Sequence, residues 1–145
     1  MRQIIRFKSK EQGATLVEFS IAGAVFLVAV FAVIEFGRAL WVHNALSDAA
    51  RRGARYATMH GEADADAVRN IAVYGNEGGT GEPMVPNLTP DNVTVDYSEF
   101  TLNRGTVTVG ITEYQFQFVI PMVGTSITMP NYSTTLTGES AGITP

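Results

Sequence analysis

The sequence predicts an α+β chain, in which a long N-terminal helix is laid across a small antiparallel β-sheet. Three observations carry that prediction. An apolar run from Gly13 to Leu40 passes without a break into helical periodicity that lasts to about His60. From Val93 onward apolar residues instead alternate with polar ones in the two-residue period of half-buried strands. Between them, residues 76–92 concentrate glycine, proline and asparagine. At 145 residues the chain has room for one modest domain beside its apolar segment.

From Phe19 to Ile34 no residue is charged, and with Ala14 to Val17 in front the run reaches the roughly 20 apolar residues that a bilayer-spanning helix needs. Glu18 interrupts it, at about 2.5–3.5 kcal/mol for a carboxylate in such a place. The preceding MRQIIRFKSKEQG sets Arg2, Arg6, Lys8 and Lys10 against Glu11, the composition of a basic cytoplasmic tail. Arg38, Arg51, Arg52 and Arg55 follow the run, so the positive-inside count is a tie. A secretory signal cut near Val30-Phe31-Ala32 is the rival; Glu18 at the head of the run, and a helical pattern unbroken through Glu35, speak against it.

Past the run, Val42, Leu46, Ala49, Ala50, Gly53, Ala54 and Ala57 recur at three- and four-residue spacing and give a face of mostly small residues. Such a face admits close approach by a sheet of the same chain or by a neighbouring helix. Asp48 with Arg51 and Arg52 marks the opposite, solvated face; lipid headgroups or a partner subunit are its alternative contacts. Glu35 and Arg38 read as an interfacial ion pair, and Trp41 as an interfacial anchor. A helix from Ala14 to Ala57 would span about 66 Å at about 1.5 Å per residue. Gly23 and Gly37 would be its soft points, and Gly61 after His60 its left-handed stop.

A shorter helix is expected from Ala63 to Tyr74, with Asp64 and Asp66 at its start, Val68, Ile71 and Ala72 facing inward and Gly75 ending it. Residues 76–92 read as a long loop. Val93, Val95 and Tyr97 predict the first strand, and Val107, Val109 and Ile111 the second. Tyr114, Phe116, Phe118 and Ile120 form a third apolar set on the opposite parity, which predicts a bulge or bend near Thr112-Glu113. Gly124 to Thr137 reads as a last strand interrupted at Pro130, and Gly138 to Pro145 as a frayed end.

The basic tail, then Gly13, then Ala-Thr-Leu-Val-Glu-Phe resembles the processing site of type IV prepilins. The resemblance extends through EFGRALWVHNALSDAARRGARYA, residues 35–57, where the chain is similar to the TadE-like pseudopilins. The resemblance implies a pilin-like fold with a leader at 1–13, a transmembrane segment at 14–40, a helical extension at 41–61 and a small extracytoplasmic α+β domain at 62–145. It implies cleavage by a prepilin peptidase between Gly13 and Ala14, and pairing of Glu18 with the amine freed at Ala14, on the same or an adjacent subunit, to set register in a filament. The amine, with an ordinary pKa of about 7.7–8.0, would supply the charge that a carboxylate buried in a helical bundle needs. It further implies a minor subunit of a tight-adherence (Flp/Tad) pilus in the bacterial inner membrane, single-pass, supporting adhesion and biofilm formation, and leaves open whether that subunit stays in the membrane, enters the filament or rides at its tip. Its partners would be the peptidase, other pilins and pseudopilins, an assembly platform and ATPase, and membrane lipid. A membrane anchor with a small extracytoplasmic binding domain that never enters a filament is the alternative.

Composition narrows the rest. The net charge of −4 argues against a nucleic-acid partner, and removing the basic leader would make it more negative. Cysteine is absent, so an exported domain of this chain must rely on its core rather than on disulfides. His43 and His60 lack metal-ligand spacing and read as structural; no metal and no cofactor is expected. Gly78-Gly79-Thr80-Gly81 lacks the lysine and helix of a phosphate loop and reads as a flexible turn. Ser20 and Ser47 have no histidine at useful spacing, so the chain is not expected to be an enzyme. Asn87-Leu88-Thr89, Asn92-Val93-Thr94 and Asn131-Tyr132-Ser133 match the glycosylation acceptor, a match that arises easily by chance in a threonine-rich chain.

Overall fold

The computed structural model describes residues 9–101, 104–119 and 126–138. Most of the basic leader, Ile120 of the third apolar set, and residues 139–145 of the expected frayed end lie outside them. Helix α1, Ser9–Ala57, passes through both compact units of the chain, residues 1–37 and 38–145. It begins five residues before Ala14, so the Gly13–Ala14 bond lies inside it.

In the first unit, the apolar side chains stand outward on every face of the helix. Leu16, Phe19, Val25, Phe26 and Val33 are each more than half exposed. A helix satisfies its backbone hydrogen bonds within itself, and this is what permits such a segment to sit in an apolar medium.

In the second unit, the opposite rule holds. Val42, Leu46, Ala49, Ala50, Ala54 and Ala57 are buried, and the small-residue face packs on its own domain. Gly53 is where the approach is closest: a Cβ there would sit 3.1 Å from Val109 Cγ1 and 3.2 Å from Ala72 Cβ. The helix ends at Ala57 without the expected left-handed glycine, since Gly61 has φ −87°. The closing carbonyls are met otherwise. Met59 N–H donates to Tyr56 O and His60 N–H to Ala57 O, while the Thr58 hydroxyl donates to Arg55 O at 2.8 Å.

A 3₁₀ turn at Glu62–Asp64 leads into α2, Ala65–Tyr74. Val68, Ala72 and Val73 are its buried residues, whereas the expected Ile71 is only half-buried. Gly75 ends it as expected, at φ +76°, with its N–H donating to Ile71 O. The loop that follows is held rather than loose. Asn76 accepts from Thr80 N–H at 3.1 Å and donates to Thr80 O at 2.8 Å. Val85 and Leu88 are buried, and a 3₁₀ turn at Pro90–Asn92 closes the loop.

Among the described residues five strands make two antiparallel sheets. Strands β1 (Val93–Thr101), β2 (Arg104–Ile111) and β5 (Tyr132–Thr137) form the first, in the order β1-β2-β5. Strands β3 (Gln115–Gln117) and β4 (Ser126–Thr128) form the second. Val95 stands opposite Val109, and Val109 opposite Thr134, so the inward parity read from the sequence holds in β1 and β2. The expected bulge or bend near Thr112-Glu113 is a bend at Glu113, and it carries the chain from one sheet to the other. Glu113 takes φ +57°, the chain leaves β2, and Tyr114 and Phe116 turn into the core from β3. The segment expected as one interrupted strand is likewise β4 and β5, in different sheets, separated by Met129-Pro130-Asn131. Proline there has no N–H for a ladder, so the pairing breaks where it stands.

Candidate membrane and assembly segment

Gly13, Ala14 and Glu18 lie within the first turns of α1, and all three are exposed. Four residues separate Ala14 from Glu18, which places them one above the other on the same helix face. Glu18 is the only charged residue from Gly13 to Ile34. Ser20 is less conspicuous: its hydroxyl donates to Leu16 O at 2.7 Å and adds no exposed donor to the run.

At the far end of the run, the three residues read as interfacial differ in exposure. Glu35 is only 5% exposed, although Ile34 and Phe36 on either side are more than half exposed. Trp41 is exposed, and it is the only tryptophan in the chain. Arg38 lays its guanidinium over the Phe116 ring, 5.3 Å from the centroid. Arg38, Trp41 and Val42 of α1 face Tyr114, Phe116 and Phe118 across a groove of about 220 Å³ that Pro86 and Asn87 close. Tyr114 donates its hydroxyl to Pro86 O at 2.6 Å. Burial pushes its pKa above the ordinary tyrosine value, and Arg38 partly offsets that rise.

Sequence reasoning identified both halves of this groove and did not join them. The aromatic parity of 114–118 was legible, as was Trp41 at the end of the run; the seventy-odd intervening residues carry no signal that they meet. Asn87 was visible only as part of an acceptor motif. It occupies a left-handed turn position, φ +64°, which asparagine tolerates better than most residues.

The arginines beyond the run divide their tasks. Arg52 pairs with Asp48 at 3.1 Å and donates to the carbonyls of Ile71 and Ala72, at the C-terminal end of α2. Arg51 and Arg55 are exposed. The two histidines are structural: His43 Nδ1 and the Tyr132 hydroxyl hydrogen-bond at 2.8 Å, and His60 stacks on Tyr56 with centroids 3.8 Å apart. Among the described residues no group of three or more His, Asp or Glu is placed to hold a metal ion.

Among the described residues one helix is long and apolar enough to cross a membrane, Gly13–Ala57, and its most apolar stretch is unburied. It fits a single-pass membrane anchor. No curated protein and no solved structure matches the chain. The family model described as TadE-like protein does match, over residues 13–55, so the N-terminal helix is similar to that of TadE-like proteins.

Proposed function

We propose that the chain is a minor pseudopilin, cut after Gly13 by a prepilin peptidase and needed to assemble a tight-adherence pilus, with assembly rather than catalysis as its role. The observation that carries this reading is the lone carboxylate of Glu18 in an exposed apolar helix directly after the Gly13–Ala14 bond. In an apolar bundle the carboxylate needs a cation or a proton. The amine of a mature Ala14, on a neighbouring subunit or on the same one, supplies the cation and gives each incoming helix a register. The domain that follows stays on the extracytoplasmic side of the inner membrane while the helix associates laterally with other pilins and pseudopilins. A platform protein and an ATPase then move the assembly into or beneath the filament, from which adhesion and biofilm formation follow. The Gly13–Ala14 bond lies inside α1, so cutting requires the first turns to unwind; a glycine there lowers the cost by about 1 kcal/mol relative to alanine.

Intact mass and N-terminal sequencing of the protein from its native envelope, with and without the peptidase, test the reading. A chain that starts at Ala14 only when the peptidase is present is the expected result. Gly13→Ala should block that maturation, and Glu18→Ala should leave insertion intact while pili are lost. A chain that still starts at Met1, or surface pili unaffected by Glu18→Ala, would overturn it and leave an anchor that carries a binding domain.

A further inference from the structure

We infer that the groove between α1 and β3 is a binding site for the headgroup of an anionic phospholipid, with Arg38 holding the phosphate. The inference rests on the membrane-spanning reading of the apolar run. Arg38 and Trp41 stand four and seven residues past Ile34, where the uncharged stretch ends, and a helix that fills a bilayer with residues from about 14 to 35 brings them out at headgroup level, at about 1.5 Å per residue.

Chemistry then selects the occupant. Arg38 already covers the Phe116 ring, so the π-face that would hold a choline or another cationic group is taken by a cation of the chain itself. Among the described residues no carboxylate lines the groove, so an ammonium headgroup meets no counter-charge from its lining. The guanidinium carries five N–H donors in a planar fork, suited to phosphate oxygens, and can serve several acceptors at once. Around it, exposed Trp41, half-buried Phe118 and the 72%-exposed Val119 make an apolar lip, which suits the glycerol and upper acyl region that accompany a lipid phosphate and not a free anion. The opposite wall is fixed by the Tyr114 bond to Pro86, so the groove is preformed.

The single tryptophan supplies the probe. The full chain is placed in nanodiscs of mixed phosphatidylglycerol and phosphatidylcholine, with one or the other lipid brominated on its upper acyl chain, and quenching of Trp41 is compared. Brominated phosphatidylglycerol should be preferred about fivefold, the weight of one arginine near an anionic lipid. Arg38→Gln should remove the preference and Arg55→Gln, the same loss of charge elsewhere, should retain it. Val119→Asp, a change at an exposed position, should also remove it, by placing a carboxylate on the lip. Equal quenching by the two lipids, or a preference that Arg38→Gln and Arg55→Gln lower alike, would overturn the site and leave only diffuse attraction. A preference erased by added inorganic phosphate would assign the groove to a free anion and overturn the lipid. Absence of quenching by either lipid would overturn the membrane reading and the site with it, an outcome separate from equal quenching by both.

Discussion

Helix α1 carries two apolar faces that differ in the size of their side chains and in what covers them. From Leu16 to Ile34 most residues are large and exposed, with valine, leucine, isoleucine and phenylalanine on all sides; from Leu46 to Ala57 the inward face is mostly alanine and glycine, and it is buried. Small residues let the backbone of α1 come close to β2 and α2, as at Gly53, where no Cβ stands between them. Large ones prevent such an approach and present surface well beyond the few hundred Å² of contiguous apolar patch usual for a soluble protein. Side-chain size along a single helix therefore separates the stretch that packs on the chain's own domain from the stretch suited to lipid or to other helices.

The sharpest way to break this comparison is to truncate one residue from each stretch. Leu46→Ala empties a fully buried site and should lower the stability of the domain by about 2–5 kcal/mol in urea unfolding of the detergent-solubilised chain. Val25→Ala, at a position 65% exposed, should stay within about 0.5 kcal/mol. Equal losses would mean that the two stretches are not distinct. Next in size is the reverse change. Gly53→Leu should destabilise by about 1–3 kcal/mol through overpacking against Val109 and Ala72, whereas Gly23→Leu, with nothing within 4 Å, should not. Thermal midpoints of the two variants decide it.

Smaller effects test the polar contacts at the groove and on the solvated face. Tyr114→Phe removes the bond to Pro86 and should cost about 0.5–1.5 kcal/mol. Burial raises the pKa of both Tyr114 and Tyr132, which means that the fold favours their neutral forms. Their contribution is therefore complete below the ordinary tyrosine pKa of about 10 and is lost as pH rises through the folded values. A stability profile from pH 8 upward should fall in the alkaline limb, and less steeply in Tyr114→Phe; an alkaline limb identical in the two proteins would refute that assignment. Smallest of all, Arg52→Ala should cost under about 1 kcal/mol, because its pair with Asp48 is largely exposed, and Arg55→Ala should cost nothing measurable. If the two arginines prove equal, the Arg52 contacts with the α2 carbonyls contribute nothing.

The elements that were legible in advance are those whose signal is local and periodic. The apolar run, the small-residue face, Gly75 as a stop, and the inward parity of Val93, Val95, Val107 and Val109 all follow from spacing along the chain. Misreadings cluster where two distant segments decide the outcome. Gly61 was available as a left-handed stop, yet Thr58, Met59 and His60 supply donors to the last turn first. The parity change after Ile111 was legible as a bulge or bend, and a bend at Glu113 is found, but the change of sheet was not, because sequence reports which way side chains point and not which sheet a strand joins. The glycine-rich loop looked loose because its ties, Asn76 to Thr80 and Met84 to Val73, leave no periodic trace.

Sequence alone determined that a long helix, with a lone carboxylate in its apolar run, precedes a small β-rich domain, since helix and strand periods and a nearly uncharged apolar run are properties of neighbours a few residues apart. Only the tertiary structure decided that β5 pairs with β2, that β3 and β4 make a separate sheet, and that Arg38 meets Phe116. Those are contacts between residues tens of positions apart, and they are selected by which buried faces fit together once loop closure brings them into reach.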